Sequence, residues 1–385
     1  MDLEAFRWLL TDDGQALLAR ASAIEGGELH AQAELRRSAT PEQVAVALTQ
    51  VELRRRAEPK FGAAAARMYF TPDGLEQATR PAVAEHRAAR LAAFEAKTLI
   101  DLGCGIGGDL IAASAAGLTC AGVDLDPVRV AVAEANLHAL GLPGAVGVAD
   151  VVRVDTSPFD VAFADPARRS GSGRTFRADD WQPPWSFVEL LLTRDSCVKV
   201  APGIPHALIP AGVEAEWVSD QGEVKEAALW SGRLASTARR ATVIAPGGLA
   251  TLTEDDDPGS EVRAVGEFLY EPDGAVVRAG LVTAVAHGVE GGLVDRHIAY
   301  VTSDRSFRTP FARSYQVLEE LPFREKQLRA ALRERGVGRL TIKKRGVDVV
   351  PEQLRKRLDL SGDAEATIVL TRVAGHGTAL LVRPF

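Results

Sequence analysis

The densest chemistry in this 385-residue chain lies in Asp101-Leu102-Gly103-Cys104-Gly105-Ile106-Gly107-Gly108-Asp109. Glycine lets a backbone turn tightly and approach a ligand closely, and a helix starting straight after such a turn presents amides that have no partner inside it. Gly103, Gly105 and Gly108 also satisfy G-x-G-x-x-G, a pattern that dinucleotide sites share, so the glycines alone leave the ligand open. The neighbouring acids narrow it. Asp101, two residues before Gly103, would repel a pyrophosphate but would pair with the amino group of an amino-acid-bearing cofactor. Asp124, 21 residues beyond Gly103, is placed to accept from both hydroxyls of a ribose. Asp150 is placed to accept from the exocyclic amine of an adenine. Taken singly, Asp124 or Asp150 reads equally well as a helix N-cap, and it is their joint spacing that favours an adenosine ligand.

A second cluster follows the apolar run Val161-Ala162-Phe163-Ala164 and reads Asp165-Pro166-Ala167-Arg168-Arg169. A carboxylate and a backbone carbonyl at the carboxyl end of a strand can accept hydrogen bonds from an amine and aim its lone pair, so catalysis there is mainly orientation. Together, the glycine loop and the three spaced acids resemble the class I S-adenosylmethionine-dependent methyltransferases over roughly residues 96–250. The resemblance implies S-adenosyl-L-methionine as cofactor, held by Asp101, Gly103, Gly105, Gly107, Asp124 and Asp150. It also implies that Asp165 and the Pro166 carbonyl orient the methyl acceptor. Members that methylate base amines carry a second proline and an aromatic where this chain has Ala167 and Arg168. An aromatic surface would then come from Phe176, Trp181, Trp185 or Phe187, unless these side chains pack on the domain's own core. Arg168 and Arg169 are candidates for substrate phosphate. Upstream, Asp73 to His86 is distantly similar to the segment before the cofactor loop of trimethylguanosine synthases, chiefly at Gly74 and over Thr79 to His86.

The elements that must position these groups are legible in the apolar pattern. Residues 1–95 are rich in Ala, Leu, Glu and Arg at helical spacing, and Thr40-Pro41-Glu42-Gln43 predicts a helix start with a capping box. From residue 96, short apolar strands alternate with helices: Thr98–Leu102, a helix over 108–116, Cys120–Asp124, a helix from Pro127 to Leu140, then Ala145–Ala149, Val161–Ala164 and Cys197–Val200. Two final strands, Glu214 to Ser231 and Ala241 to Ala245, are expected as an antiparallel pair. This predicts an α/β class, a doubly wound, seven-stranded Rossmann-like sheet. The acidic run from Glu254 to Asp257, followed by Pro258-Gly259, predicts a linker. The expected domains are 1–95 (helical), 96–252 (methyltransferase), 253–320 (linker and mixed α/β) and 321–385 (small α/β).

The chain's net charge of −7 is unevenly spread. Residues 323–357 carry twelve basic and four acidic side chains, a local +8 that leaves −15 for the rest. A helix over 324–335 and a strand through Arg339, Lys343, Lys344 and Arg345 would gather that charge on one surface, as a phosphate-backbone site requires. Gly338-Arg339-Leu340-Thr341-Ile342-Lys343-Lys344-Arg345-Gly346 resembles the THUMP-like C-terminal domain attached to a bacterial class of these methyltransferases, and the resemblance implies RNA binding. A solvated helix face with a charge bias is the plainer reading. Three cysteines without paired spacing, Cys104, Cys120 and Cys197, argue against a disulfide framework or a zinc ribbon and for a reducing cytoplasm. No signal peptide, membrane span or metal-ligand cluster is expected, and the sequence carries no signal of oligomeric state. The reading is an RNA methyltransferase acting on an exocyclic base amine of tRNA or rRNA. Two alternatives stay open: a small-molecule or protein methyltransferase with a structural C-terminal domain, and a non-catalytic RNA-binding protein that retains a cofactor pocket.

Overall fold

The computed structural model describes residues 1–25, 27–168 and 181–385, which divide into two compact units: Met1–Val213 with Ala228–Ser236, and Glu214–Ala227 with Thr237–Phe385. The first unit opens with four helices, α1 (Leu3–Leu9), α2 (Asp12–Ala23), α3 (Glu28–Leu35) and α4 (Pro41–Phe61). Phe6, Leu9, Leu18, Leu35, Val44 and Ala47 close this bundle's core, so its stability comes from packed faces rather than from propensity. The expected capping box at the start of α4 is present, with Thr40 and Gln43 exchanging hydrogen bonds with each other's backbone amide. Two further helices follow, α5 (Pro72–Gln77) and α6 (Pro81–Ala93).

A run of parallel strands and helices comes next: β1 (Thr98–Leu102), α7 (Gly108–Ala115), β2 (Thr119–Asp124), α8 (Pro127–Leu140), β3 (Ala145–Val148) and β4 (Val161–Ala164). A two-residue ladder joins β5 (Ala167–Arg168) to β6 (Trp181–Gln182), and α9 (Trp185–Leu191) leads to β7 (Ser196–Val200). β1 pairs in parallel with both β2 and β4, β2 with β3, and β4 with β7, so the strands' carboxyl ends share one edge. Burial on both faces makes β4 apolar at every position, as an α/β sheet demands.

The strands β8 (Glu214–Asp220) and β9 (Glu223–Ser231) form a hairpin where the sequence pattern suggests one strand. Gln221 (φ 54°) and Gly222 (φ 80°) supply the two left-handed residues that a tight two-residue turn needs. The strand order is β3-β2-β1-β4-β7-β9 in the first unit, and β9-β8-β10-β11 in the second, with β10 (Arg239–Ala245) and β11 (Gly248–Thr253) added. The expected antiparallel partnership of the last strands is corrected. β10 runs parallel to β8, with Ala215 opposite Arg239, and it is β11 that turns back antiparallel on β10.

The second unit also holds a seven-stranded sheet of β12 (Phe268–Pro272), β13 (Gly292–Asp295), β14 (Ile298–Ser303), β15 (Ala312–Leu321), β16 (Val337–Lys344), β17 (Ala364–Val373) and β18 (His376–Pro384). Helices α10 (Gly274–Ala279) and α11 (Val282–Gly288) lie between β12 and β13. On one end of this sheet, α12 (Glu325–Glu334) and α13 (Pro351–Leu358) pack Leu328, Leu332, Leu354 and Leu358 onto β16 and β17. The acidic run expected as a linker sits inside this unit. Glu254–Asp256 form a short 3-10 turn capped by Thr253, Glu254 accepts from the Ala238 amide, and Asp257 accepts from Thr283. Compactness divides the chain near residue 213, with Ala228–Ser236 returning to the first unit.

Candidate functional site

The carboxyl edge of β1, β2 and β4 opens into a cleft of about 1030 Å³, at the upper end of the roughly 300–1,000 Å³ of ligand pockets. The glycine loop forms its floor. Gly103 (φ 99°) and Gly105 (φ 54°) hold backbone conformations that side-chain-bearing residues resist, and a Cβ on either would meet no protein atom, so both present bare backbone. The loop is tied on two sides. The Gly103 and Cys104 amides donate to the Val123 carbonyl at 2.8 and 2.9 Å. On the other side, buried Asn136 of α8 donates to the carbonyls of Ile106 and Tyr69 and accepts from the Tyr69 amide at 2.6 Å. Gly74 of α5 lies so close that a side chain there would strike Ile106 and Thr71.

Asp101, at the end of β1, is 1% exposed, and its Oδ1 has no hydrogen-bond partner among the described residues. Burial first, then the carboxylates of Asp109 and Asp165, push its carboxyl well above the usual carboxylate range, against the pull of Arg87. A buried acid left this way is a socket for a cation. Asp124 accepts from the Gly105 and Asp126 amides at 3.0 and 2.9 Å, which fixes its carboxylate beside the loop. Asp150 lies on the rim, where its Oδ1 caps a short 3-10 turn by accepting from Val152. All six residues expected to hold a cofactor thus come together except Gly107, which packs against Ala133 and does not line the cleft. Cys104 packs beneath Gly122, where a Cβ would lie 3.0 Å from its own, and burial raises its thiol pKa, so it serves packing.

A 40% identity over 349 residues, covering 86% of this chain and 95% of the relative, links the protein to an uncharacterized S-adenosylmethionine-dependent methyltransferase found in two strains of Mycobacterium tuberculosis. The chain belongs to the S-adenosylmethionine-dependent methyltransferases. The fold agrees with a crystal structure of a candidate methyltransferase from Porphyromonas gingivalis W83, at a TM-score of 0.75 and 21% identity over 99% of this chain and 97% of that one. Two family models match parts of the methyltransferase: a THUMP domain-like model over residues 312–384 and a domain of unknown function (DUF8688) over 2–57.

The cofactor's chemistry fits the residues of the cleft. S-adenosylmethionine carries an ammonium that the unpartnered, buried Asp101 would hold, a ribose that Asp124 would accept from, and a net positive charge. The described lining has seven acids (Asp101, Asp109, Asp124, Asp126, Asp150, Asp165 and Glu189) against one arginine, Arg129, which suits that charge and repels a polyanion.

Another side of the methyltransferase's cleft is set by β4. Asp165 follows it directly, and the Lys199 ammonium of β7 donates to Asp165 Oδ2 at 2.6 Å. The same ammonium donates to Thr79 Oγ1 at 3.1 Å, Thr79 donates to Asp109 Oδ2 at 2.7 Å, and Arg87 pairs with the other oxygen of Asp109. Thr79 lies in the segment that the sequence flags as similar to trimethylguanosine synthases; Lys199, Arg87 and Asn136 carry no motif, and only the fold brings them in. Trp181 and Trp185 line the cleft wall but are buried against each other with ring centroids 5.4 Å apart, so their faces are largely spoken for. Phe187 is not among the cleft's lining residues. Arg168 contributes its backbone to β5, while Arg169 and Phe176 lie outside the described residues.

Among the described residues, half of the twelve basic side chains in residues 323–357 pair with an acid. Arg335 makes a bidentate contact to Glu319 at 2.7 Å, and Arg339 pairs with Glu365 at 2.7 Å. Arg333 reaches Asp359, and Arg357 reaches Glu325 at 2.8 Å. Lys343 donates to Glu271 at 2.6 Å beneath Tyr315; burial, which would lower its pKa, is outweighed by those two partners, so it is held above its ordinary value. Arg345 stacks over Tyr300 and donates to the Ala299 carbonyl. Lys326, Lys344 and Lys356 are exposed. Glu271, Glu319, Asp359 and Glu365 all lie outside the counted window, which is why the sequence tally overstates the free charge.

Proposed function

We propose that this methyltransferase acts on an exocyclic base amine in RNA, with Asp165 and the Pro166 carbonyl as the acceptors that orient the amine. The observation that carries the reading is the placement of Asp165 on the cleft at the carboxyl end of β4, with Oδ2 held by Lys199 and Oδ1 left for an incoming N–H. When bound, S-adenosylmethionine would supply an electrophilic methyl carbon, the nitrogen–carbon bond forming as the carbon–sulfur bond breaks with its electron pair left on sulfur, and the methylated nitrogen would lose its proton to water. Asp165 aligns the nitrogen lone pair and stabilises the positive charge that develops on it, an orientation and electrostatic contribution. Asp101 fixes the amino-acid end of the methyl donor and Asp124 its ribose. The acidic lining excludes phosphates from the floor, so a nucleotide would enter base first. The THUMP domain-like segment supports RNA as the carrier of that base.

A second reading draws on the ion pairs of residues 323–357. With half of that segment's cations paired to acids, the C-terminal domain would be structural and the acceptor a small amine. Tritium transfer from labelled cofactor into total RNA and into small metabolites separates the two, and label confined to metabolites ends the RNA reading. Mass spectrometry of RNA nucleosides from a strain lacking the protein, against its parent, identifies the modified base.

A further inference from the structure

Three carboxylates crowd the mouth of the cleft, and two cations sort them. Asp101, Asp109 and Asp165 lie near enough for the latter two to raise the pKa of the first. Arg87, 4% exposed at its side chain, takes Asp109, and Lys199, 16% exposed, takes Asp165. Among the described residues, Asp101 keeps a buried oxygen with no partner. Without Lys199, two of these three acids would stand uncompensated before a ligand that brings one ammonium.

From this arrangement we propose that Lys199 is the positioning residue of the transfer step: it neutralises Asp165, fixes which of its oxygens faces the acceptor, and thereby reserves Asp165 for a neutral N–H donor and Asp101 for the cofactor's ammonium. The proposal rests on the reading of Asp165 as the acceptor's partner but not on the acceptor being RNA. Thr79 holds the lysine from the other side. Its hydroxyl donates to Asp109 and so turns a lone pair toward the Lys199 ammonium, which links the glycine-loop helix to β7 through a residue 120 positions from the lysine. A lysine has a flexible stem and three donors, and among the described residues the Thr79 and Asp165 oxygens are acceptors that help fix its position. The acceptor class follows. A carboxylate or phosphate would meet Asp165, Asp101 and Asp109 together, whereas an uncharged amine meets one oriented oxygen.

The test uses full-length protein and whichever fraction, RNA or small metabolites, wild type labels from tritiated cofactor. For Lys199→Met the expected result is a kcat at least 30-fold lower, an acceptor KM changed less than threefold, and a calorimetric cofactor Kd unchanged or tighter. Lys199→Arg is expected to recover to within about fivefold of wild type. In an Asp165→Ala background, Lys199→Met is expected to add no further loss, because its effect passes through Asp165. A wild-type rate in Lys199→Met, or an undiminished Lys199 effect in the absence of Asp165, overturns the proposal. Lys199→Gln replaces the methionine variant if that protein lacks a melting transition. Labelled metabolites with unlabelled RNA, together with a collapsed Lys199→Met rate, reject the RNA reading and leave this inference standing.

Discussion

Two regions of the molecule handle charge in opposite ways. Among the described residues, the cleft of the first unit is lined by seven acids and one arginine, with Arg87 and Lys199 pairing two of the acids, and a buried carboxylate oxygen is left unmet, while the basic run of the second unit pairs six of its twelve cations with acids, four of those six with acids outside the run. Burying an unpaired charge is expensive, so a fold that keeps one reserves it for a ligand. A counted surplus in the sequence is weaker evidence, because pairing at the surface and beneath it cancels much of it.

The sharpest way to break the comparison is at Asp165. Asp165→Ala is expected to lower transfer by about 10²–10³, the scale of losing one positioned group in a transition state, with cofactor affinity within threefold by calorimetry. Asp101→Asn should act on binding instead, weakening the cofactor by about 10–100-fold, in line with roughly 1.5–3 kcal/mol for a hydrogen bond to a charged group. The same substitution should stabilise the cofactor-free protein at neutral pH. An acid whose folded pKa is raised above its unfolded value of 3.8 loses stability as pH rises from there, so the advantage of the variant should grow with pH above about 4 and vanish below it in denaturant titrations. A cofactor-free Asp101→Asn protein no more stable than wild type would remove the idea of a reserved charge.

In the second unit, Lys343→Met should cost about 1–3 kcal/mol of stability by leaving Glu271 half-buried without its cation. Lys326→Ala, Lys344→Ala and Lys356→Ala together should stay within about 0.5 kcal/mol each. On the RNA reading, that triple variant flattens the salt dependence of RNA binding by roughly two in log–log slope. A pH test falls on Lys60, whose ammonium donates to the Leu75 carbonyl and is pushed down to about 8 by burial, with Lys199 and Arg80 adding to it. A base with a depressed folded pKa is penalised while charged, so wild type should gain stability relative to Lys60→Met as pH rises from 8 toward 10.5.

Local pattern made the alternating strands and helices legible, down to α8 from Pro127 to Leu140 and the cap at Thr40. It also placed Asp101, Asp124 and Asp165, because each follows a strand whose end the apolar run marks. The hairpin at Gln221-Gly222 was hidden, since glutamine is an unusual choice for a left-handed turn position. Lys199 and Asn136 were hidden for a different reason. Their residue types are ordinary, and each acquires its role from a partner 30 to 120 residues away. The same distance explains Arg339 and Lys343, whose acids, Glu365 and Glu271, lie beyond any local window.

The Asn136 clamp has a thermodynamic consequence. Because one side chain holds the Tyr69 peptide and the Ile106 carbonyl together, opening of the region around Tyr69 and release of the cofactor loop are one linked equilibrium. Cofactor binding should therefore slow amide hydrogen exchange at Tyr69 and Phe70, whose amides are held by Asn136 and by Gln50 of α4, well beyond the residues the ligand touches. The region around Tyr69 is in this sense a reporter of occupancy, and a chain truncated before β1 would keep Asn136 on the Ile106 carbonyl but lose its anchor at Tyr69.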